Sequence, residues 1–596
     1  MGVINIKTLL VAINAKYIHT SLAVRSIYTY CKENNTNINI KEFTINNDED
    51  TIINEIYEEK PDFLGFSCYI WNINIILDII STIKKLLPNI KIFVGGPEVS
   101  YDYEYIFEKG VDIVCIGEGE QTVKELVDKF NTIKYIDESF ESIEGIAFKI
   151  NNNLIITNDR KLLELDKIPF VYKEGLYGTE NKILYYEASR GCPYNCQYCL
   201  SSLEKGLRFL TEERVKQDLD FFLKNNVKQV KFVDRTFNCN KKFALLIWNY
   251  LIDNDNGITN FHFEISADLI DQDMINTLKK ARLGLFQFEI GVQSTNNHTL
   301  DEIKRKTNLE KLFDKVNEIK KLKNIHQHLD LIAGLPFEDY EIFKKSFNDV
   351  FKVYPEQFQL GFLKLLKGSG LRINAKKYGI VYKDKAPYEV LYTNLINYDK
   401  MTMLKNIEEM VETYYNSGKA INTIKYGIKF FKSPFDFFEN LSIYWINNKY
   451  NNVSHSKMKL YEIIYTFLSS IDGMNSSILN EIVKFDILLN DNIKSLPVWI
   501  NTEYNNEFKE KERRFYNNEE NIKKYLPHLQ KYDAKQISRM CYFEKFNIDI
   551  ENIINSNFEQ IDKKETYILF DYYTKNDLTY KVKYYYLERG NFDETF

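Results

Sequence analysis

The first two thirds of the chain alternate short unbroken apolar runs with amphipathic stretches of helical length. Thr8 to Asn14 is a continuous apolar run, and Ile38 to Phe43, Asp62 to Cys68, Lys91 to Pro97 and Asp112 to Glu120 read as further strands of the first third. Such runs are what parallel strands buried on both faces require. Between them, Leu22, Val24, Ile27 and Tyr28 mark one face of a helix, and Ile75 to Leu87 is another amphipathic helix. The pattern predicts an α/β fold that begins with a doubly wound, flavodoxin-like sheet. Ligands of such sheets sit at the carboxyl ends of the strands, where glycines let backbone approach closely. Gly145 to Phe148 and Leu154 to Thr157 flank Asn151-Asn152-Asn153 and read as a hairpin inside a linker.

The alternation resumes from Lys182 to Leu371. Ile183 to Glu187, Gln229 to Asp234, Phe261 to Ser266, Leu285 to Ser294, His328 to Pro336 and Gln357 to Phe362 read as six strands separated by helix-length segments. A partial (β/α)6 barrel fits, with its chemistry at the carboxyl ends of the strands. Ala386 to Leu391 then opens a mostly helical region. Met403, Leu404, Ile407, Met410, Val411 and Tyr414 form one apolar face there, with Gly418 as a C-cap. Helices continue to about Phe546, and Thr566 to Phe570 with Tyr580 to Tyr586 read as a closing strand pair. The predicted organisation is 1–135 for the first domain, 136–181 for a linker with its hairpin, 182–385 for the barrel and 386–596 for the helical domain.

A length of 596 residues suits three or four domains, and 44% hydrophobic residues are ample for real cores. The formal charge of −6 is too mild to argue for a nucleic-acid partner. Glu507 to Arg514 is charge-dense, as a solvated helix face is. No signal peptide or membrane-spanning run is visible. Free cysteines point to reducing conditions, so a cytoplasmic location is expected.

Chemistry concentrates after the strand Ile183 to Glu187. Cys192-Pro193-Tyr194-Asn195-Cys196-Gln197-Tyr198-Cys199 has the spacing C-x3-C-x2-C. Three thiolates in one loop hold three irons of a cubane cluster and leave the fourth open. Tyr198 is placed to shield it. Zinc is the alternative, since thiolates suit it too. A closed zinc site would need a fourth ligand, and no histidine lies between Cys199 and the next cysteine, Cys239. Cys239 reads as a second-site thiol or as a small packing residue.

The cysteine motif resembles that of the radical S-adenosylmethionine (SAM) superfamily. That resemblance implies a 4Fe-4S cluster whose open iron chelates SAM and whose electron cleaves it to a 5′-deoxyadenosyl radical. By similarity to oxygen-independent coproporphyrinogen dehydrogenase, Gln293 and Asp330 match residues that bind SAM, and Arg305 matches the arginine that pairs with its carboxylate. A guanidinium fork suits a carboxylate. Glu264 and Asp234 read as acceptors for SAM or as structural hydrogen-bond partners inside the barrel. The Gly-Phe-Ser, Val-Gly-Gly-Pro and Gly-Glu-Gly-Glu turns of the first domain resemble the cobalamin-binding domain fused to many radical SAM enzymes. Tyr17, His19, Ser67, Tyr69, Trp71, Gly95, Gly96, Pro97, Glu98, Gly117, Glu118 and Gly119 are its candidate cofactor contacts. The Asp-x-His-x-x-Gly motif of cobalamin-dependent mutases is missing, and Glu98 stands where related fusions often carry histidine. Cobalt is therefore expected without a histidine ligand from this domain, His19 being better read as a cap or solvated side chain than as a ligand.

The resemblance implies an enzyme that methylates an unactivated carbon, with methylcobalamin as methyl donor and a second SAM to recharge cobalt. A non-methylating rearrangement, ring contraction or reduction is the alternative. A corrinoid or redox carrier without turnover is a third reading, disfavoured by the intact cysteine motif with Gln293, Arg305 and Asp330. RNA modification would call for a basic stripe or an added RNA-binding module, and neither is visible. The expected partners are a small-molecule substrate and an external low-potential electron donor such as flavodoxin or ferredoxin.

Overall fold

The computed structural model describes residues 6–203, 206–493, 495–500, 506–560, 563–575 and 582–587. The chain divides into two compact units, Met1–Pro355 with Leu360–Met401 and Glu356–Gln359 with Thr402–Phe596.

The first unit opens on a seven-stranded sheet. Its strands are β1 (Thr8–Asn14), β2 (Asn39–Thr44), β3 (Phe63–Ser67), β4 (Lys91–Gly95), β5 (Ile113–Cys115), β6 (Ile146–Ile150) and β7 (Asn153–Ile156), ordered β2-β1-β3-β4-β5-β6-β7. The first five run parallel. All seven residues of β1 are buried, as its unbroken apolar run requires. The helix Ile73–Leu86 buries Ile73, Ile76, Ile79, Ile80 and Ile83. At about 1.5–3 kcal/mol per buried aliphatic side chain, that face outweighs the roughly 1 kcal/mol of a missing N-cap bond. The cap residue Asn72 is occupied elsewhere. Its Nδ2 donates to the carbonyls of Ile13 and Ser67, and its Oδ1 accepts from the amide of Tyr69.

Two details differ from the sequence expectation. The helix Leu22–Glu33 buries Val24 together with Ser26, Thr29, Tyr30 and Cys31, while Leu22, Ile27 and Tyr28 are only half-buried. Ser26 is turned inward because its Oγ donates to the buried carboxylate of Glu120 at 2.9 Å. The hairpin is part of the sheet, because β6 pairs antiparallel with β5 and β7 with β6. Its turn residues Asn151 and Asn152 have φ of 49° and 66°, the left-handed pair that a two-residue hairpin turn demands.

A six-stranded open barrel follows: β8 (Leu184–Tyr186), β9 (Gln229–Phe232), β10 (Asn260–Ile265), β11 (Phe286–Gln293), β12 (His326–Ala333) and β13 (Gln357–Phe362), neighbouring one another in chain order. From β8 to β12 neighbours run parallel. Buried and half-buried positions alternate strictly in β11 and β12, and the half-buried set carries Gln287, Glu289, Gln293, His326, His328 and Asp330. The buried set packs under the helices, and the half-buried set of polar side chains faces the lumen. Ala386 to Leu391 does not open a helix. Val390–Tyr392 pairs with Val381–Tyr382, and the Val390 amide bonds the Leu363 carbonyl.

In the second unit Leu404, Ile407, Met410, Val411 and Tyr414 are buried on one helical face, and Gly418 ends it with φ 71°. The helix Ser476–Asn490 is buried all round. Its Lys484 is held by Glu481 at 3.1 Å and Glu544 at 3.5 Å, and its Asp486 accepts from Asn422 and Thr423. The helix Asn506–Asn517 exposes its charges and buries Phe508 and Phe515. The helical run breaks at Met540 and not at Phe546, and one short helix, Ile550–Asn555, follows. Cys541–Phe546 (β14) alternates its side chains and joins Thr566–Lys575 (β15) and Val582–Leu587 (β16) in an antiparallel sheet with β15 in the middle. Tyr580 lies outside the described residues. Among the described residues no helix is long and apolar enough to cross a membrane.

Candidate active site

The loop from Ser189 to Cys199 leaves the carboxyl end of β8 and is fastened at several points. Ser189–Arg190 pairs with Arg208–Phe209. A Cβ on Gly191, whose φ is 103°, would lie 2.2 Å from the Gly206 carbonyl oxygen, so only glycine fits this approach. The Gln197 amide bonds the Ile303 carbonyl, and the Leu371 amide bonds that of Gln197, both at 2.9 Å. Asp234 is fully buried and takes the Ala188 amide at 3.1 Å and the Ser189 hydroxyl at 2.5 Å. Burial pushes its pKa up to about 7 against these donors. Asp234 is thus spent on holding the strand end that carries the loop.

Cys192, Cys196 and Cys199 are free thiols. Among the described residues no three His, Cys, Asp or Glu side chains gather as a single-ion site. A cubane takes each thiolate on a different iron and so does not need the three to meet at one ion. Burial raises the Cys196 pKa, and Arg305 beside it works in the opposite direction. Tyr198 is shifted up by burial, in the field of Arg305, Cys196 and Cys199.

Gln293, Arg305 and Asp330 come together next to these thiols. Arg305 Nη2 donates to the Gly291 carbonyl at 2.8 Å, while its buried Nε has no partner. Gln293 has φ 73° and sits at a β-bulge, its amide folded back over Gly291. Asp330 stands opposite Gly291 on the neighbouring strand, and its buried Oδ1 has no partner. Burial, with Glu289 and Glu264 nearby, raises its pKa far above the carboxylate range. An orphaned guanidinium nitrogen and an orphaned carboxyl oxygen flanking a thiol loop are complementary to an amino acid group such as that of SAM. These residues fit that cofactor.

The lumen also holds polar groups that the sequence analysis did not single out. Lys231 Nζ is 2.8 Å and His262 Nε2 3.2 Å from Glu289. Glu264, opposite Glu289, is 4.0 Å from Lys231. Although burial opposes it, His262 and Lys231 hold the Glu289 carboxyl down at about 2. His328 meets Gln287 at 2.7 Å and His326 at 3.0 Å, and burial lowers it to about 3. The signal for this set was the recurrence of polar residues two apart along β11 and β12, at Gln287 and Glu289 and at His326, His328 and Asp330.

The carboxyl edge of the first sheet meets the barrel through charges. Arg190, two residues before Cys192, bonds Glu187 at 2.7 Å, Glu120 at 2.9 Å and Glu118 at 3.3 Å. Burial disfavours its charge, but Glu120 and Glu187 outweigh that and hold it protonated. Arg208 grips the same Glu118. Glu98 is buried with Lys367 at 3.3 Å and accepts from the Tyr388 hydroxyl. His19 Nδ1 is 2.6 Å from the Tyr185 hydroxyl, and Ile18 accepts the Ile183 amide at 2.7 Å. Tyr17 is exposed under Lys182. Glu98, Glu118 and His19 therefore serve the junction with the barrel.

What remains open for a corrin is flatter. Tyr69 and Trp71 stack at 4.3 Å and 7°, and Trp71 is 42% exposed. Ser67 is buried. Gly96 has φ 112°, and a Cβ there would lie 2.6 Å from the Cys68 carbonyl oxygen. Gly95 and Pro97 flank it, half-buried. Gly117 has φ 78° with open space where a Cβ would stand, and Gly119 is closed by Ile27. An aromatic platform beside uncluttered glycine turns, with the domain's lone histidine engaged at Nδ1, fits a planar macrocycle that takes no imidazole from this domain.

Profiles of three domain families match the chain: the B12 binding domain over residues 8–127, the radical SAM superfamily over 186–350 and a protein of unknown function, DUF4080, over 376–570. The chain is 25% identical over 313 residues to the cobalamin-dependent radical SAM methyltransferase TokK of Streptomyces tokunonensis, covering 48% of this chain and 44% of that protein. It is 26% identical over 307 residues to the hopanoid C-3 methylase of Methylococcus capsulatus, covering 49% and 56%. The chain thus spans about half the length of these curated relatives. In fold it resembles the cobalamin-dependent SAM radical enzyme OxsB, solved with aqua-cobalamin and SAM bound. The TM-score is 0.56 at 15% identity, over 81% of this chain and 78% of that one.

Three outcomes are expected. Replacing Cys192, Cys196 and Cys199 together by alanine removes the bound iron and sulfide and the broad visible absorption of the anaerobically reconstituted protein; unchanged iron content would refute the assignment. His19→Ala leaves the absorption spectrum of the corrinoid-loaded protein unchanged, and a switch between base-on and base-off forms that depends on His19 would reverse that reading. Arg190→Gln strands buried Glu120 and half-buried Glu187, which costs up to about 3–5 kcal/mol in the buried limit, so the melting temperature of the protein should drop by several degrees. An unshifted melting curve would show that the cluster is dispensable.

Proposed function

With a B12-binding domain ahead of a radical SAM domain, the chain belongs to the cobalamin-binding radical SAM proteins, and we propose that it methylates an unactivated carbon of a small molecule. The observation that carries this reading is the placement of the cysteine loop. It lies between Arg305, Gln293 and Asp330 on one side and, through Arg190, the glycine turns of the B12-binding domain on the other. The bound groups would supply the electron that splits SAM and the carrier of the methyl group.

The chain's own residues supply holding and orientation. Arg305 offers its unpaired Nε to a carboxylate, in a setting where a charge-assisted bond is strongest because water is excluded. Asp330 offers Oδ1 to an amine or hydroxyl, and its raised pKa lets it donate when protonated. Gln293 sits at a bulge that turns its amide over Gly291. Asp234 keeps the strand end in register with the loop. Tyr69 and Trp71 provide a flat apolar face at the edge of the first sheet. A cytoplasmic setting, an external low-potential electron donor and a small-molecule substrate belong to the same proposal.

One observation favours a competing reading. Glu289, His262 and Lys231 form a charged, hydrogen-bonding set inside the lumen, which a reduction or rearrangement would use and a methyl transfer would not require. The products separate the two. With SAM, cobalamin and a low-potential reductant the enzyme should release 5′-deoxyadenosine slowly even without its substrate. With substrate it should also release S-adenosylhomocysteine. Deoxyadenosine without S-adenosylhomocysteine, in the presence of the true substrate, would remove methyl transfer in favour of the competing reading. Arg305→Ala should reduce both products more than tenfold, since losing a buried charge-assisted pair costs about 2–5 kcal/mol.

A further inference from the structure

We propose that a cavity against the outer wall of the cysteine loop is the docking site of an acidic one-electron carrier protein. The proposal rests on the function just given, which needs an electron from outside the chain. The cavity encloses about 640 Å³, is half open to solvent, and is walled by Pro193, Tyr194 and Asn195 on one side and Lys304, Arg305 and Lys306 on the other. Pro193 and Asn195 are exposed although they lie between Cys192 and Cys196. The backbone of the loop that carries the thiols is therefore itself the protein surface here. Electron transfer falls steeply with distance, and a partner seated in this cavity would be separated from those thiols by one layer of chain.

The charge of the opposite wall selects the partner. Arg305 turns inward to the Gly291 carbonyl and Cys196, while Lys304 and Lys306 on either side are exposed. Among the described residues neither lysine has a carboxylate within ion-pair distance, whereas neighbouring Lys377 is held by Glu302 at 2.6 Å and Lys241 by Asp271 and Asp273. Asp301 also lines the cavity, so the exposed side chains sum to a single positive charge, on a chain whose formal charge is −6. An acidic carrier is repelled by the molecule as a whole and attracted at this wall, which orients the encounter as well as strengthening it. In the step itself the carrier loses one electron and the group held by Cys192, Cys196 and Cys199 gains it. No atom is transferred.

The test compares the reconstituted full-length protein with its Lys304→Glu/Lys306→Glu variant, using a reduced 2[4Fe–4S] ferredoxin in one arm, flavodoxin hydroquinone in a second and reduced methyl viologen, a small cation, in a third. Loss of visible absorption after anaerobic mixing reports reduction, and binding of each oxidised carrier is measured separately at low salt. The variant should bind the carrier about tenfold or more weakly and be reduced correspondingly more slowly by it, with the wild-type rate falling as salt is added. Reduction by viologen should be undiminished. The carrier that reduces wild type in a lysine-dependent way is the class that docks. Equal binding and equal rates for both proteins would overturn the proposal. So would slowing by all three reductants, or loss of iron from the variant, since the lysines would then serve the loop and not a partner. Wild type that is reduced normally yet forms no S-adenosylhomocysteine would overturn the proposed methyl transfer and leave the docking site standing.

Discussion

Arg190 is the residue on which the two cofactor-binding halves of the first unit depend. It sits two residues before the first cysteine and faces three carboxylates, one from its own strand end and two from the turn after β5. Any one of these pairs at the surface would contribute little. Here the partners are largely out of water, so none can be left unmatched without a large penalty. The same turn supplies Gly117 and Gly119, and the same loop supplies the thiols. Arg190, with Arg208 on the same Glu118, therefore holds the turn after β5 close to the cysteine loop.

Inside the barrel the physics is reversed. Arg305 Nε and Asp330 Oδ1 are buried without partners, and Asp330 is pushed far from its ordinary pKa. Groups left unmatched in the protein alone are matched by whatever binds there. Arg190 is satisfied and serves architecture; Arg305 keeps a buried nitrogen unmatched. Both stand within a few residues of cysteine motif or lumen, and sequence alone does not tell them apart.

That contrast explains how much was legible beforehand. The strands were, because buried parallel strands announce themselves as apolar runs, and Asn151-Asn152 announced a hairpin. The cysteines were, because their spacing is local. Ser26 on the inner face of its helix was not, since only the distant Glu120 makes an inward hydroxyl favourable. Cys541–Phe546 was read as helix because its alternation is short and its partner β15 lies twenty residues on. The junction was invisible for the same reason. Glu98 meets Tyr388 across 290 positions, and Arg190 meets Glu120 across 70, and no periodicity encodes such pairings.

The clasp at the far end of the barrel carries a consequence for assembly. The chain returns after β13 to place Lys367, only 4% exposed, against Glu98 and the Tyr105 hydroxyl, while Ile183 at the start of β8 is sewn to Ile18. The barrel is thus fastened to the first sheet at both ends. Swinging the two apart to admit a bulky macrocycle would expose a buried ion pair and strip its hydrogen bonds, at a cost of several kcal/mol. Any opening of the first sheet away from the barrel is therefore a local unfolding event, with a rate set by how often this clasp breaks.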